Sequence, residues 1–316
     1  MPIIKPLILG NKTFPTNIIQ GPLAGISCAP FRRLIWKYSQ PAFACTEMIS
    51  VKTLLNQSEY SARRFIRKDP EEGPVCFQLA ANNPAELAEA TKRVTDYGAD
   101  LIDLNCGCPV KKIRTRGSGS KLLVEPQKLF ELIRAMKNST SVPVSIKIRV
   151  EGQSSEKFHQ ELINIISDSG LDFITVHGRH WKEHYETLCR YDQIKYFVEN
   201  LKIPVIGNGD IKCGDSLQKM FTTGCAGAMI GRAGVGQPWL INKLILEINN
   251  KKFITPEFEE IKSVFLEHIS KLAELLGREK FALIQARKFA KYYAKELAEN
   301  INHCEYLDEL RVVMEA

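Results

Sequence analysis

One cysteine of this chain combines the position and the surroundings that reaction chemistry needs. Cys108 stands between Gly107 and Pro109, shortly after the apolar run L-I-D-L that begins at Leu101. The proline keeps the cysteine off helical geometry, so its thiol can reach a ligand at the end of the predicted strand. Basic residues interleaved with glycine and serine follow it, namely Lys111, Lys112, Arg114, Arg116 and Lys121. A thiol beside a cationic loop indicates chemistry on an anionic partner, by acyl transfer or by redox chemistry.

The neighbouring cysteine has a different expected role. Side chains alternate along a strand, so if Asn105 points into a barrel, Cys106 points towards the surrounding helices and serves packing. A zinc site is not predicted, because the C-x-C spacing has no partner C-x-x-C and His177 is the only histidine candidate nearby. Cys108 therefore remains as a proton donor or a nucleophile, and no metal is expected.

Composition limits the class of protein. The 316 residues include 44% apolar and 25% charged residues, which suits one large globular domain or a barrel followed by a small domain. The net charge of +7 permits an anionic partner such as nucleic acid. The chain has no apolar run long enough to span a membrane, and its first residues do not form a signal peptide. Together with nine cysteines in no framework spacing, this predicts a cytoplasmic protein with reduced thiols. We expect a monomer.

Strand and helix patterns alternate along most of the chain. Eight strand candidates occupy residues 17–24, 43–49, 75–80, 101–105, 142–150, 173–177, 204–208 and 227–231. Helical patterns lie between them, and N-P-A-E-L-A-E-A-T-K-R begins with the Asn-Pro punctuation of a helix start. Eight such units predict a (β/α)8 TIM barrel. A doubly wound open sheet is the alternative, but the first strand ends in G-P-L-A-G, which is not a dinucleotide fingerprint.

The last part of the chain shows only helical patterns. We place a barrel domain at residues 1–248 and a small all-helical domain at residues 249–316. Its second predicted helix, residues 279–299, is rich in basic side chains, and Arg287, Lys291 and Lys295 would share one face at four-residue spacing. That face could bind nucleic acid or could simply be solvated. Tyr292 and Tyr293 could stack on bases or pack in the core.

The active site of a barrel lies at the carboxyl ends of its strands. The predicted strand ends carry polar groups on every strand after the first, and several lie inside apolar runs, where an unpaired cation is unfavourable. These groups are Glu47, Gln78, Asn105, Lys147, Arg149, His177, Arg179, Asn208, Asp210 and Arg232. Such residues need a bound partner.

The last two turns indicate what that partner is. The segments Gly-Asn-Gly-Asp at residues 207–210 and Gly231-Arg232 follow the seventh and eighth strands, where barrels often bind phosphate. Lys147 and Gln78 would face a ring over the barrel mouth, and a cation near one edge of a flavin stabilises its reduced form. This combination points to FMN, whose single phosphate fits one such site.

These motifs resemble those of the tRNA-dihydrouridine synthases along nearly the whole chain. The segment N-C-G-C-P with the glycine-rich loop after it is specific to that family, and the other motifs are shared more widely among flavin barrels. The matching segments are G-P-L-A-G-I-S-C-A-P-F-R-R at residues 21–33, T-E-M at 46–48, F-Q-L at 77–79, L-N-C-G-C-P-V-K-K at 104–112, G-S-G-S-K-L-L at 117–123, K-I-R at 147–149, V-H-G-R at 176–179, N-G-D at 208–210 and I-G-R at 230–232. The segment A-R-K at 286–288 with Tyr292-Tyr293 resembles the bacterial B-type branch.

The resemblance implies a function and a role for each site residue. It implies an FMN-bound barrel, a helical tRNA-binding domain, and NADPH-dependent reduction of the C5–C6 bond of a tRNA uridine. Reduced flavin would deliver hydride to C6, and Cys108 would protonate C5. The resemblance assigns the flavin shell to Pro22, Leu23, Ala24, Gln78, Lys147, His177, Asn208, Gly209, Asp210, Gly231 and Arg232. It assigns substrate binding to Asn105 and Arg149. The basic residues Lys111, Lys112, Arg287 and Lys291 are predicted from their charge and position to contact tRNA.

Two segments depart from the family pattern. After V-H-G-R the family usually continues with Thr and a later Tyr-x-Gly-x-Ala-x-Trp, whereas this chain reads H-W-K-E-H-Y-E-T-L-C-R-Y-D at residues 180–192, so no role is transferred to that loop. Ser27-Cys28 replaces the usual Thr-Asp. Two other functions stay open, an FMN-dependent reductase of a small pyrimidine or enone, and a non-catalytic RNA-binding barrel.

Overall fold

The strands close into a barrel, as the sequence predicts. The computed structural model describes residues 3–151, 156–184 and 186–315. Within them the strands are β1 Leu7–Leu9, β2 Lys12–Phe14, β3 Ile18–Gln20, β4 Ala44–Cys45, β5 Ile49–Ser50, β6 Val75–Ala80, β7 Leu101–Cys106, β8 Val144–Arg149, β9 Phe173–His177, β10 Val205–Asn208 and β11 Gly227–Ile230. Strands β3, β4 and β6 to β11 pair in parallel, and β11 pairs with β3 to close the ring. The predicted (β/α)8 TIM barrel is confirmed.

The second barrel strand is interrupted where the sequence predicts one continuous strand at 43–49. β4 pairs with β3 and β6, and β5 resumes the pairing with β6 after a gap of three residues. In that gap the Thr46 hydroxyl accepts a 3.1 Å hydrogen bond from the backbone N–H of Gln78. A threonine side chain thus replaces a backbone partner, and Glu47 in the same gap accepts hydrogen bonds from the backbone N–H of Gly25 and from Arg64.

Helices surround the barrel and form the end of the chain. Those of the described residues are α1 Ala29–Tyr38, α2 Val51–Asn56, α3 Glu59–Ile66, α4 Pro84–Asp96, α5 Lys111–Arg114, α6 Pro126–Lys137, α7 Glu156–Ser169, α8 Tyr191–Asn200, α9 Gly214–Phe221, α10 Leu240–Ile248, α11 Phe258–Leu276, α12 Glu279–Ala286, α13 Ala290–Tyr293, α14 Lys295–Asn302 and α15 Leu307–Glu315. Two 3₁₀ turns lie at Gly119–Val124 and Arg232–Gly234. Asn83 caps α4 by accepting from the N–H of Glu86, and a proline follows at the first position, as the Asn-Pro pattern predicts.

An apolar plug fills the amino-terminal end of the barrel. The antiparallel hairpin of β1 and β2, which the sequence patterns did not reveal, covers this end and buries Phe14. Its ring lies 5.6 Å from that of Phe43, which lies 6.2 Å from Phe173. Because these rings occupy the lower interior, polar chemistry is left to the carboxyl ends of the strands.

The helices after α10 pack on the barrel through a separate apolar cluster. This cluster joins α11 to α15 with Cys28, Leu34, Val235 and Trp239 of the barrel region. From residue 258 to 315 the structure contains helices and turns without a strand. The helical character of this region is confirmed, whereas the boundary at residue 249 and tRNA binding stay predictions.

The single helix expected at 279–299 is wrong, because the structure divides it into α12, α13 and α14. Ala294 is extended, with φ of −159° and ψ of 156°, and separates α13 from α14. Phe289 and Tyr293 are buried beside His268, with Phe289 stacked 4.5 Å from the imidazole. Packing of these rings overrides helix propensity. Arg287, Lys291 and Lys295 therefore do not share one helix face, which corrects the predicted basic stripe.

Candidate active site

A cleft of about 500 Å³ opens at the carboxyl ends of the barrel strands. Fourteen of the eighteen predicted site residues line it: Pro22, Leu23, Ala24, Gln78, Asn105, Cys108, Lys147, Arg149, His177, Asn208, Gly209, Asp210, Gly231 and Arg232. The structure thus brings the expected flavin shell, the thiol and two expected uracil contacts to one place. The roles of these residues remain predictions.

A chain of hydrogen bonds fixes the side chains at the cleft floor. The register of β6 and β7 places Gln78 beside Asp103, and the Gln78 amide donates a 2.8 Å hydrogen bond to Asp103. Ser145 donates to the other Asp103 oxygen at 2.7 Å. The Asn105 amide in turn donates to Gln78 Oε1 at 2.9 Å. Burial raises the pKa of Asp103 to about 6, while the bonds from Ser145 and Gln78 oppose this rise. Asp103 therefore determines which way both amides point.

Cys108 is held in the same network by its backbone. Asn105 Oδ1 accepts the N–H groups of Gly107 at 3.2 Å and Cys108 at 2.9 Å. Ser120 donates its N–H to the Cys108 carbonyl at 3.1 Å. Gly119, with φ of +64°, permits that closure, because a Cβ there would lie 2.8 Å from the Cys108 oxygen. The glycine-rich loop thus folds back directly against the cysteine.

The two cysteines of the motif differ in their surroundings. Burial raises the pKa of the Cys108 thiol, and the positive charge of Arg149 opposes this rise only in part. The thiol therefore stays protonated at neutral pH and can donate a proton into the cleft. Cys106 is fully buried in the core between strands and helices, and burial raises its pKa well above the usual value. Its packing role agrees with the strand alternation.

Cationic groups dominate one side of the cleft. Lys147 Nζ donates to Asn208 Oδ1 at 2.8 Å, and the Asn208 amide donates to the Met229 carbonyl at 2.8 Å. Burial, reinforced by the charge of Arg149, lowers the pKa of Lys147 to about 8. His177 is buried, which holds its pKa well below the usual value, and nearby cations add to this effect. His177 is therefore neutral, and the positive charge is carried by lysine and arginine.

The acidic partner on this side is Asp210. It accepts from the Arg179 guanidinium and, at 2.9 Å, from the backbone N–H of Cys189. Arg179 also approaches His177 Nε2 at 3.2 Å. Arg179 thus orients the imidazole and anchors the loop after β9. The V-H-G-R motif already placed Arg179 at a strand end, although no site role was assigned to it.

The residues of the cleft fit a phosphorylated flavin. A Cβ built on Gly231 meets no atom within 4 Å, so the backbone there faces open space beside Arg232. Gly209, with φ of +135°, has no room for a side chain because Cys189 Sγ would lie 2.6 Å from a Cβ. Glycine backbone beside an arginine is a common way to hold phosphate. Gln78 and Lys147 supply polar groups for the edge of a planar ring.

Two cleft residues had no role assigned from sequence, because Met48 and Lys212 line the cleft without having been singled out. Tyr292, expected either to stack or to pack, reaches the cleft from the C-terminal helices with 41% of its surface exposed. The tyrosine pair separates, because Tyr293 is buried and its hydroxyl lies 2.9 Å from His268 Nδ1. Only the final packing of α13 shows which tyrosine faces the cleft.

The four remaining predicted residues lie outside the cleft lining. Lys111 and Lys112 are exposed on α5, immediately beyond the Cys108 loop. Lys291 is exposed, with its Nζ 5.4 Å from the centre of the Tyr292 ring. Arg287 instead donates to the carbonyls of Ile301 at 3.3 Å and Cys304 at 3.0 Å. These bonds give the guanidinium a structural role at the end of α14, and the contact of Arg287 with tRNA stays a prediction.

The described residues contain neither a cluster of metal ligands nor a helix that could span a membrane. No group of three or more histidine, cysteine, aspartate or glutamate side chains there could hold a metal ion. Nor does any helix in those ranges have the length and apolar character needed to cross a membrane.

Comparison with known proteins gives a consistent result. The family model described as "Dihydrouridine synthase (Dus)" matches residues 19–315. The tRNA-dihydrouridine synthase B of Vibrio parahaemolyticus is 32% identical over 290 residues, covering 91% of this chain and 89% of the relative. That of Proteus vulgaris is 32% identical over 294 residues, covering 92% and 90%. Both names agree with the expected B-type branch.

Solved structures support the fold. An old yellow enzyme homologue from Zymomonas mobilis superposes with a TM-score of 0.60 at 10% identity, covering 83% of this chain and 96% of that one. Morphinone reductase in complex with tetrahydroNAD gives a TM-score of 0.56 at 11% identity, covering 83% and 94%. At such low identity these structures establish the barrel and nothing about its chemistry. The family model and the relatives carry the assignment, and the chain belongs to the dihydrouridine synthase family.

Proposed function

We propose that this protein reduces the C5–C6 double bond of a uridine in tRNA to 5,6-dihydrouridine, with FMN as cofactor and NADPH as reductant. The observation that carries this proposal is the meeting of Cys108 with the expected flavin shell in one cleft. Family membership supports the same reaction.

The cofactor would lie between two sets of residues. Gly209, Gly231 and Arg232 would hold its phosphate, while Gln78 and Lys147 would contact its ring. When bound, FMN in its reduced form supplies the hydride, and NADPH reduces the oxidised FMN again. Asn208 would keep Lys147 directed at the ring through their 2.8 Å hydrogen bond.

The substrate would lie opposite, where the thiol faces the cleft. Asn105 and Arg149 would hold the uracil by hydrogen bonds. Cys108 would give its proton to C5, a role for which a protonated thiol is required. The thiolate formed would be stabilised by Arg149, whose charge already favours it.

The tRNA itself would contact the rim of the cleft. Lys111 and Lys112 are exposed next to the Cys108 loop, where they can reach phosphates on either side of the target uridine. Lys291 and the half-exposed Tyr292 provide a cation and an aromatic face on the helical region, residues 249–316. We expect a monomer in the cytoplasm, where the nine free cysteines stay reduced.

The runner-up is a flavin reductase of a small pyrimidine or enone. Lysines on the rim and a tyrosine from the helical region are features that such an enzyme does not need. Salt dependence separates the two functions, because release of counterions makes binding to tRNA weaken steeply with salt.

Purified holoprotein should be tested on tRNA that lacks dihydrouridine, with NADPH and dihydrouridine detection by mass spectrometry. We expect the wild-type protein to form dihydrouridine in tRNA and not in free uridine. Cys108→Ala should retain its flavin and the reduction of that flavin by NADPH, but lose product. Near-wild-type turnover by Cys108→Ala would show that the thiol is not the acid. Turnover of free uridine without tRNA would favour the runner-up.

A further inference from the structure

The loop that departs from the family pattern makes a close contact with the loop that carries Cys108. The Trp181 indole covers Arg114, whose guanidinium carbon lies 3.3 Å from the ring centre. Arg114 ends α5, six residues after Cys108. Its Nε is buried and has no hydrogen-bond partner among the described residues. The cation–π stack is therefore a principal contact of this guanidinium.

The preceding residue of the same loop contacts a second arginine that acts on the cysteine. The His180 carbonyl accepts a 3.1 Å hydrogen bond from Arg149 Nη1. Arg149 lines the cleft, and its charge acts on the Cys108 thiol. Two consecutive residues, His180 and Trp181, thus hold two arginines near the cysteine, one on its own loop and one on the neighbouring strand β8.

The loop is itself firmly held, so it can act as a support. Glu183 accepts the His180 N–H at 2.8 Å and pairs with Arg190, whose Nη1 lies 2.6 Å away. The bond from Arg190 lowers the pKa of Glu183 to about 2, so this pair stays charged at any physiological pH. Arg179 donates to the Thr187 carbonyl and so ties the loop to β9.

The helix that carries Arg114, α5, is too short to be stable by itself. α5 has four residues, no side-chain cap and no buried residue. A single helical turn is unstable in water without tertiary contacts. Trp181 supplies such a contact, and the segment between Cys108 and α5 is only two residues long.

We propose that Trp181, together with the His180 carbonyl, positions the Cys108 loop, and that this dipeptide of the departing loop thereby fixes the thiol over the substrate. Trp181 does not line the cleft, so it is a positioning residue and acts through Arg114. The proposal rests on the proposed role of Cys108 as the acid.

The test compares Trp181→Ala, Trp181→Phe and Trp181→Leu as flavin-loaded proteins. The first readout needs no substrate. Iodoacetamide labelling of Cys108 is followed by peptide mass spectrometry, with Cys213 as internal reference, since this half-exposed thiol lies on another loop, at the start of α9. We expect Trp181→Ala to change the ratio of Cys108 to Cys213 labelling several-fold. Trp181→Phe should keep the wild-type ratio, whereas Trp181→Leu, which lacks an aromatic face, should not.

The second readout is single-turnover oxidation of the reduced protein by saturating tRNA. We expect Trp181→Ala to slow this step about tenfold, since small misplacements of a reacting group have effects of this order. Reduction of the flavin by NADPH should change less than about twofold. Arg114→Ala should match Trp181→Ala, and the double variant should be no slower than either, because coupled residues are not additive.

Three results would overturn the proposal. The first is unchanged labelling and turnover in Trp181→Ala. The second is equal rescue by Trp181→Leu and Trp181→Phe. The third is a variant in which only the KM for tRNA changes. The last would mean that Trp181 contacts tRNA directly. The wild-type protein controls for the proposed function, because failure of wild type to act on tRNA refutes that function whatever the labelling shows.

Discussion

The backbone N–H of Cys108 donates a 2.9 Å hydrogen bond to Oδ1 of Asn105, the side chain three residues before it. The same amide donates from Nδ2 to Gln78 Oε1. Asn105 therefore connects the expected flavin contact at the floor with the expected proton donor in the loop. A single amide holds both halves of the site in register.

Replacing Asn105 should separate these two tasks. Asn105→Ala removes the acceptor for the N–H groups of Gly107 and Cys108, so we expect dihydrouridine formation to fall about 100-fold. Asn105→Asp keeps that acceptor but loses the donor to Gln78, and should retain the loop while weakening flavin binding. Product rate and flavin content are the two measurements. If Ala and Asp lower both quantities equally, Asn105 does not connect the two halves as described.

The charge of Lys147 should oppose folding and support function. Its pKa in the folded protein is about 8, below its ordinary value of 10.5. The unfolded chain therefore binds more protons between pH 8 and 10.5, and the free energy of unfolding of flavin-free protein rises with pH across that window. Lys147→Met should raise that free energy most below pH 8, where the half-buried lysine is fully charged. Flavin content and turnover should fall.

Urea unfolding of flavin-free protein at pH 7 and pH 10 tests this directly. We expect the advantage of Lys147→Met over wild type to be larger at pH 7 than at pH 10. An advantage that does not depend on pH would mean that Met gains only from apolar packing. A flavin content equal to that of wild type would remove Lys147 from the proposed cofactor contacts.

Strand positions could be predicted from sequence because alternation and position along a strand determine where a side chain points. Lys147 and His177 lie in apolar runs on strands β8 and β9, and both line the cleft. The helical region was less predictable, because the break at Ala294 depends on the packing of Phe289 and Tyr293 around His268. The Trp181 stack also required three-dimensional information, since Trp181 follows Arg114 by 67 positions in the chain.

Tyr292 should act on the substrate and not on stability. It lines the cleft with 41% of its surface exposed, whereas Tyr293 is buried. We expect Tyr292→Ala to raise the KM for tRNA several-fold, since stacking on an unpaired base contributes about 1–3 kcal/mol. Tyr292→Phe should be close to wild type. The matched control is Tyr306→Ala, whose ring is exposed away from the cleft lining. An equal KM increase in that control would point to a general effect.

Substitution of Arg287 should lower stability, whereas substitution of Lys291 should weaken tRNA binding. Arg287 donates to the carbonyls of Ile301 and Cys304, so Arg287→Ala leaves these groups without the donor and should lower the free energy of unfolding by about 1–3 kcal/mol. Lys291 is exposed, and Lys291→Glu should leave that free energy within about 0.5 kcal/mol of wild type. It should weaken tRNA binding and reduce its salt dependence. Urea unfolding and tRNA titration at two salt concentrations measure both effects.

Lys295→Glu is the charge-matched control, since Lys295 is 90% exposed and lies beside Glu299. If Lys295→Glu weakens binding as much as Lys291→Glu, the effect is one of net charge and Lys291 has no specific contact.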